Sequence, residues 1–217
     1  MTRFEEFKKQ FEKATLEAGR DIGEIELIAV SKKKPLSDIK DIFNQGHSSF
    51  GENQIQEIEK KWPQFKSDHK SIKLHFLGGI QSRKVNSILN ACDVIHSIDR
   101  YKIVKKIKEY EHDSHIQKKY FIQVNTGNEP QKSGVPINDV DEFIQNCKTN
   151  YNLKIEGLMC LPPLDEDPKE HFLNLKSISK NHNLPSLSMG MSNDFEEAIK
   201  CGSTHIRVGT LIFGERD

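Results

Sequence analysis

Apolar positions along the chain alternate between two periods. Residues 3–19 place Phe4, Phe7, Phe11, Ala14 and Ala18 three and four apart, with charged residues between them. That spacing predicts an amphipathic helix. Residues 25–31, Ile-Glu-Leu-Ile-Ala-Val-Ser, form a short apolar run of the kind found in buried parallel strands. Helical spacing returns from Ser37 to Asn44, where Gly46 supplies a C′ residue. The same exchange continues to the end of the chain. Strand-like runs fall at 48–53, 73–79, 94–99, 120–126, 154–160, 184–190 and 204–209. Helical patterns fall between them at 54–61, 81–91, 100–111, 137–148, 168–181 and 193–201.

With the first strand this makes eight strands alternating with helices. Such alternation predicts a parallel sheet with right-handed crossovers. Eight units predict an α/β fold of the (β/α)8 TIM barrel type, with the first helix as an extra N-terminal element. The rival is an open doubly wound sheet. The chain has 217 residues, enough for one substantial core and too few for two comfortable ones. No linker or low-complexity segment interrupts it, so residues 1–217 read as a single domain. One loop stands out, Leu-Pro-Pro-Leu-Asp-Glu-Asp-Pro at 161–168. It follows the sixth strand at the barrel end where active sites gather, and reads as a rim or lid element.

Charge narrows the partners. The 32 basic residues balance 32 acidic ones, so no global field draws the chain to nucleic acid or to a membrane surface. No apolar run approaches the roughly 18 residues of a membrane span, and the N-terminus lacks the apolar stretch of a signal peptide. Cys92, Cys147, Cys160 and Cys201 are scattered, with no C-x-x-C pair. The expectation is a reduced, cytoplasmic, metal-free monomer.

The candidate chemistry lies at strand ends. Residues 188–194, Ser-Met-Gly-Met-Ser-Asn-Asp, read as a strand running into a helix N-terminus, with Gly190 at the turn and Ser192 as N-cap. Helix N-termini bind anions through unpaired N–H groups and the helix dipole. Ordinary capping would account for the same residues. Val208-Gly209-Thr210 repeats the logic after the eighth strand, and phosphate sites in such barrels often use the loops after strands seven and eight. Arg207 sits between Ile206 and Val208, where a charge is costly unless it is paired or touches a ligand. A salt bridge inside the barrel would serve equally well. Asn53 ends the second strand and either presents an amide to a ligand or caps a helix. Lys32 and Lys34 share parity with Ile28 and Val30, so parity does not choose between them. A lysine projecting into the barrel mouth would be partly desolvated, which favours the free amine that attacks an aldehyde. A solvated run of Lys32, Lys33 and Lys34 is the plain alternative. His75 and His96 read as satisfied core histidines.

Taken in order, the motifs resemble one family. They are Ala-Val-Ser-Lys at 29–32, Phe-Gly-Glu-Asn at 50–53, His-Phe-Leu-Gly at 75–78, Gln-Ser-Arg-Lys at 81–84 and His-Ser-Ile-Asp-Arg at 96–100. Gln-Val-Asn at 123–125, Lys-Ser-Gly at 132–134, Gly-Leu-Met at 157–159, Ser-Met-Gly-Met-Ser at 188–192 and Ile-Arg-Val-Gly-Thr-Leu-Ile-Phe-Gly-Glu-Arg at 206–216 complete the set. The chain is similar, nearly end to end, to the pyridoxal-phosphate homeostasis proteins. The resemblance implies a barrel like the N-terminal domain of bacterial alanine racemase, holding pyridoxal 5'-phosphate. It assigns the Schiff-base lysine to Lys32 rather than Lys34, places Arg207 near the pyridine nitrogen, and assigns the phosphate grip to Gly190, Ser192, Gly209 and Thr210. Lys33, Gly79 and Leu74 depart from residues common in the family, and none of them belongs to the lysine or phosphate motifs.

The same lysine and phosphate grip would serve an enzyme or a carrier. Racemisation needs a base on each face of the cofactor, and in alanine racemase the second comes from another domain across the subunit interface. Tyr101, Tyr110, Tyr120 and Tyr151 fall away from the expected mouth. An arginine at the pyridine nitrogen also weakens the cofactor as an electron sink. The expectation is therefore a binding protein that stores, buffers or delivers pyridoxal phosphate, with PLP-dependent apoenzymes as partners and no catalytic residues. The alternatives are a PLP-dependent amino-acid racemase, or a lyase or isomerase whose lysine condenses with substrate.

Overall fold

A computed structural model of the protein describes residues 1–215, leaving Arg216, the last residue of the 206–216 motif, and Asp217 outside the described residues. Nine strands appear among them: β1 (Glu26–Val30), β2 (Ser49–Glu52), β3 (Lys73–Phe76), β4 (Val94–Ile98), β5 (Lys119–Asn125), β6 (Val135–Pro136), β7 (Ile155–Cys160), β8 (Ser186–Ser188) and β9 (His205–Val208). All their pairings are parallel. The order β4-β3-β2-β1-β9-β8-β7-β5 is closed by pairing of β4 with β5. This is the eight-stranded barrel that the alternation predicts, and closure excludes the open sheet. The short β6 adds to the end of β5, with Val124 opposite Val135.

The helices are α1 (Arg3–Glu17), α2 (Leu36–Asn44), α3 (Ile55–Lys61), α4 (Pro63–Asp68), α5 (Val85–Ala91), α6 (Tyr101–Ser114), α7 (Val140–Thr149), α8 (Pro168–Asn181), α9 (Phe195–Lys200) and α10 (Thr210–Phe213). The expected helices all form. The sequence pattern missed α4, β6 and α10, each too short to show a period of its own. The expected extra helix is α1. It starts with a capping box between Thr2 and Glu5 and buries Phe4, Phe7 and Phe11. The Phe7 ring meets Phe195 of α9 edge-on at 5.3 Å.

One continuous apolar layer fills the space between the barrel wall and the helices, from Phe4 through Trp62 and Phe65 to Ile212. Inside the barrel the apolar cluster shrinks to Val94, Phe121 and Met159. Register explains what takes the remaining space. Glu26 lies opposite His205, Ile28 opposite Arg207, and Gly51 opposite His75. Alternate residues of a strand share a face, so the inward parity of β1, β3, β4 and β9 carries Glu26, His75, His96, His205 and Arg207.

Candidate functional site

A cavity of about 480 Å³ opens at the C-terminal ends of the strands, within the size range of small-molecule sites. Lys32 enters it from the loop after β1, Asn53 from the end of β2, and residues 191–194 from the turn after β8. Arg207 rises from β9, with Gly209 and Thr210 just beyond it. The proline-rich segment after β7 contributes Leu161, Pro162, Pro163, Leu164 and Glu166 to the wall, so it is the rim element the sequence suggests. Of the named candidates only Gly190 lies outside the lining. Its φ of +98° turns the chain, and a Cβ there would meet the Ala198 Cβ at 2.5 Å. Gly190 thus shapes the site without facing it.

The loop that carries Lys32 is held from behind. Lys33 takes a left-handed φ of 62°, and its N–H donates to Glu57 Oε1 at 2.6 Å. Lys61 Nζ donates to the carbonyls of Ser31 at 3.1 Å and Lys34 at 3.2 Å, on either side of Lys32. Behind Lys61 stands Glu52, 2.7 Å away and fully buried. Glu52 Oε1 also accepts from Ser31 Oγ and Trp62 Nε1. Burial pushes Glu52 above its ordinary carboxylate value, and these hydrogen bonds and the Lys61 charge act against that rise. Lys32 and Lys34 both line the cavity, although the strand ends at Val30 and the turn between them breaks its parity. The Lys34 ammonium, however, reaches outward to the Glu215 carbonyl at 2.7 Å. Lys33 is exposed, and only in that residue does the solvated charge run hold.

Ser192 is not a helix cap. The helix α9 starts at Phe195 with Asp194 at its N-cap position. Asp194 Oδ1 instead accepts from the Met191 N–H at 2.5 Å, and its own N–H returns to the Met191 carbonyl at 3.2 Å. This closes a turn on which Ser192 and Asn193 face the cavity. The N–H groups of Ser192, Asn193 and Thr210 take no intramolecular partner among the described residues. Two strand-end turns with open donors therefore stand side by side, since β8 and β9 are neighbours.

Arg207 is 4% exposed. Its Nη1 donates to Ser188 Oγ at 2.6 Å and its Nη2 to the Cys160 carbonyl at 2.9 Å. No carboxylate comes within ion-pair distance among the described residues, so the expected alternative of a barrel salt bridge does not hold. Burial lowers its pKa, opposed by Cys160 and Asp194. A guanidinium has five N–H donors, and two of them are used. Asn53 sits before Gln54, which holds the N-cap position of α3, so it is no cap either. Its backbone fits because residue 78 is glycine: a Cβ there would lie 1.9 Å from the Asn53 carbonyl oxygen.

The acid–base inventory of the mouth is short. Among the described residues its titratable side chains are Lys32, Lys34, Glu166, Asp194 and Arg207. None of the four tyrosines lines it: the Tyr110 hydroxyl donates to Asn90 and the Tyr101 hydroxyl accepts from Asn146. The Cys160 thiol is pushed up to about 12 by burial, so it offers no thiolate. No group of histidine, cysteine or carboxylate side chains could hold a metal among the described residues. His75 and His96 are satisfied core histidines, as expected. The sequence reading missed Ser188 and Lys61.

Residues 8–217 match the family described as alanine racemase, N-terminal domain. Among curated proteins, the pyridoxal phosphate homeostasis protein of Aquifex aeolicus is 36% identical over 96% of this chain and 94% of its own length. That of Escherichia coli K12 is 33% identical over 94% and 91%. Among solved structures, PipY of Synechococcus elongatus with PLP bound matches at a TM-score of 0.81 and 28% identity, covering 94% of this chain and 99% of that one. An alanine racemase from Clostridium difficile matches at 0.69 with 13% identity over 56% of its length, which is a likeness of fold alone. The chain belongs to the alanine racemase N-terminal domain family and, within it, to the pyridoxal phosphate homeostasis proteins.

Proposed function

We propose that the protein binds pyridoxal 5'-phosphate in the barrel mouth and holds it for intracellular PLP homeostasis, by storage, buffering or delivery, without robust catalysis of its own. The observation that carries this reading is the convergence, in one cavity, of Lys32, the buried Arg207 and two turns with open N–H donors. The residues fit the group. Lys32 would attach the aldehyde, and the Ser192 and Thr210 hydroxyls with the adjoining N–H groups would hold the phosphate. Gly209 would admit the phosphate closely, Arg207 would donate to the ring nitrogen, and Asn53 would line the ring. Gly190 would act by shaping the turn.

When bound, the cofactor supplies an aldehyde that condenses with primary amines and a pyridine ring that withdraws electrons. Arg207, as a hydrogen-bond donor there, would favour the unprotonated ring nitrogen and so weaken that withdrawal. Lys61, Glu52 and Glu57 fix the backbone around Lys32, which keeps the amine directed at the cavity. Among the described residues, no tyrosine, histidine or cysteine lines the mouth as a second base opposite Lys32. We take residues 1–217 as one domain, acting as a monomer in the cytoplasm and passing cofactor to PLP-dependent apoenzymes. Four free, buried cysteines support the reducing setting.

The test is optical. The purified protein with pyridoxal phosphate should absorb at about 420 nm, and borohydride should fix the label. Lys32→Ala should abolish both signals, while Lys33→Ala and Lys34→Ala keep them. Fixed label on Lys32→Ala protein would overturn the assignment.

A further inference from the structure

Beneath Arg207 the barrel interior holds a row of polar side chains that cofactor attachment does not use. It begins at Arg207 Nη1, which donates to Ser188 Oγ at 2.6 Å. Ser188 Oγ meets His96 Nδ1 at 2.9 Å, and His96 Nε2 meets His75 Nδ1 at 2.9 Å. His75 Nε2 ends the row between Ser49 Oγ at 3.0 Å and Glu26 Oε1 at 3.2 Å. Glu26 also receives Ser49 Oγ at 2.8 Å and Lys73 Nζ at 2.9 Å, and pairs with His205 Nε2 at 3.4 Å.

The proton positions in this row follow from its two ends. A guanidinium only donates and a carboxylate only accepts. Burial would raise Glu26, but hydrogen bonds from His205, His75 and Lys73 outweigh it and hold the carboxyl well below its ordinary range. Burial holds His75 and His96 below the ordinary imidazole value, so both rings are neutral. A neutral His75 facing the carboxylate through Nε2 must carry its proton there, which leaves Nδ1 as acceptor. His96 must then donate from Nε2, and its Nδ1 accepts the Ser188 hydroxyl proton. Ser188 oxygen is left to accept from Arg207. A single assignment satisfies every link, and all hydrogen bonds run in one direction, from the cation at the mouth to the anion at the floor.

Such a filling is costly unless it is complete. Barrel interiors are ordinarily layers of branched aliphatic side chains. Burying opposite charges pays back only when each polar atom is satisfied. Here the His96 ring is further fixed by stacking on Phe121, 4.4 Å between centroids and 3° from parallel. A rigid, one-way row is what sets a guanidinium in a single orientation while sparing its remaining donors.

We propose that Ser188, His96 and His75, ending on Glu26, are positioning residues that orient Arg207 from beneath and balance its charge, so that its free N–H groups point to the ring nitrogen of the cofactor. The second half of this statement rests on the function proposed above; the first half does not.

The experiment separates the two. In cofactor-free protein, long-range ¹⁵N–¹H correlation spectra should show His75 and His96 as neutral Nε2–H tautomers. The Arg207 guanidinium should give slowly exchanging N–H signals, and Ser188→Ala should broaden or erase them. Ser203→Ala, which removes an equally buried hydroxyl outside the row, should leave them intact. With pyridoxal phosphate, Ser188→Ala should release cofactor about tenfold faster than wild type, the scale of one lost hydrogen bond to a charged group. Ser188→Thr, which keeps a hydroxyl, should recover most of the retention. An Nδ1–H tautomer at His75 or His96 in wild type would overturn the row even if a variant failed to fold. Equal behaviour of Ser188→Ala and Ser203→Ala would overturn it too. Tautomers and guanidinium signals as expected, in a protein that retains no pyridoxal phosphate, would uphold the row and reject the proposed function.

Discussion

The two sides of the barrel wall obey opposite rules. Outside, Phe50, Leu74, Phe76, Ile95 and Ile206 meet the helices in a continuous apolar layer. Inside, the same strands present Ser49, His75, His96 and Arg207, and only Val94, Phe121 and Met159 cluster as apolar groups. The outer layer draws its stability from area removed from water and tolerates any well-fitting hydrophobe. The inner row is stable only as a set, because each member's partner is the next member. Stability and function are thus carried by different faces of the same strands. Substitutions on the two faces should fail in different ways.

The largest effect is expected in the outer layer. Phe65 on α4 is 5% exposed and packs edge-on against Phe43 at 5.4 Å and against His69 at 4.8 Å. Phe65→Ala should cost about 3–5 kcal/mol of unfolding free energy in urea titration. It should leave the tautomers of His75 and His96 and the cofactor retention of the folded protein unchanged. If retention falls in step with stability, the two faces are not independent.

Acid should divide the faces more finely. His47 lies in the outer layer, 5.3 Å from Phe4 and 5.4 Å from Phe50 between ring centroids. Burial pushes its imidazole down to about 4, against the Ser49 carbonyl, which favours the charged form. The unfolded value is about 6.5, so the unfolded chain binds more protons between those values. His47 therefore contributes stability that is present above about pH 6.5 and lost as pH falls towards 4. The slope is about 1.4 kcal/mol per pH unit for one such group. Denaturant midpoints measured from pH 7.5 to 4.5 should fall, and His47→Phe should flatten part of the decline. His75 and His96 add losses of the same sign from inside the barrel, so the variant should keep the remainder. A wild-type midpoint that stays level across this range would mean that the histidines are not held neutral.

What could be read from the sequence follows the same division. The outer layer is apolar at every second or every third and fourth position, and those periods revealed all eight barrel strands and the extra helix α1. The strand expected at 184–190 is shorter, Ser186–Ser188, because Gly190 turns the chain out of the barrel wall. The inner row was harder. In β3, Lys-Leu-His-Phe, and β9, His-Ile-Arg-Val, polar residues fall on alternate positions, a pattern that usually marks a solvent face. Only barrel closure turns that face inward. The motif residues Lys32, Asn53, Ser192, Arg207, Gly209 and Thr210 were all legible, and the structure brings them to one cavity. Their partners were not. The link from Ser188 to His96 spans 92 residues and that from Lys61 to the Ser31 carbonyl spans 30, and no local period encodes such a pairing. Ser192 has the residue type of a cap, but Asp194, two residues on, holds that position.

The smallest expected effect is no turnover at all, and it tests what the inner face is for. If the row beneath Arg207 serves to keep the ring nitrogen unprotonated, and none of the described residues acts as a second base opposite Lys32, the protein should not exchange the α-hydrogen of alanine or serine at an enzymatic rate. Enzymes turn over at about 1–1000 per second. Incubation in D2O with each amino acid and saturating pyridoxal phosphate, followed by proton NMR of the α position, reads the exchange directly. Exchange no faster than that of free cofactor in buffer is the expected result. Turnover near one per second that vanishes in Lys32→Ala would instead make the protein a racemase, with a mouth carboxylate such as Glu166 or Asp194 as the candidate second base. Ser188→Ala sharpens the outcome. Loosening Arg207 should let the ring nitrogen take a proton more readily, so exchange should rise slightly in this variant while retention falls. A fall in both would show that the row supports catalysis and does not restrain it.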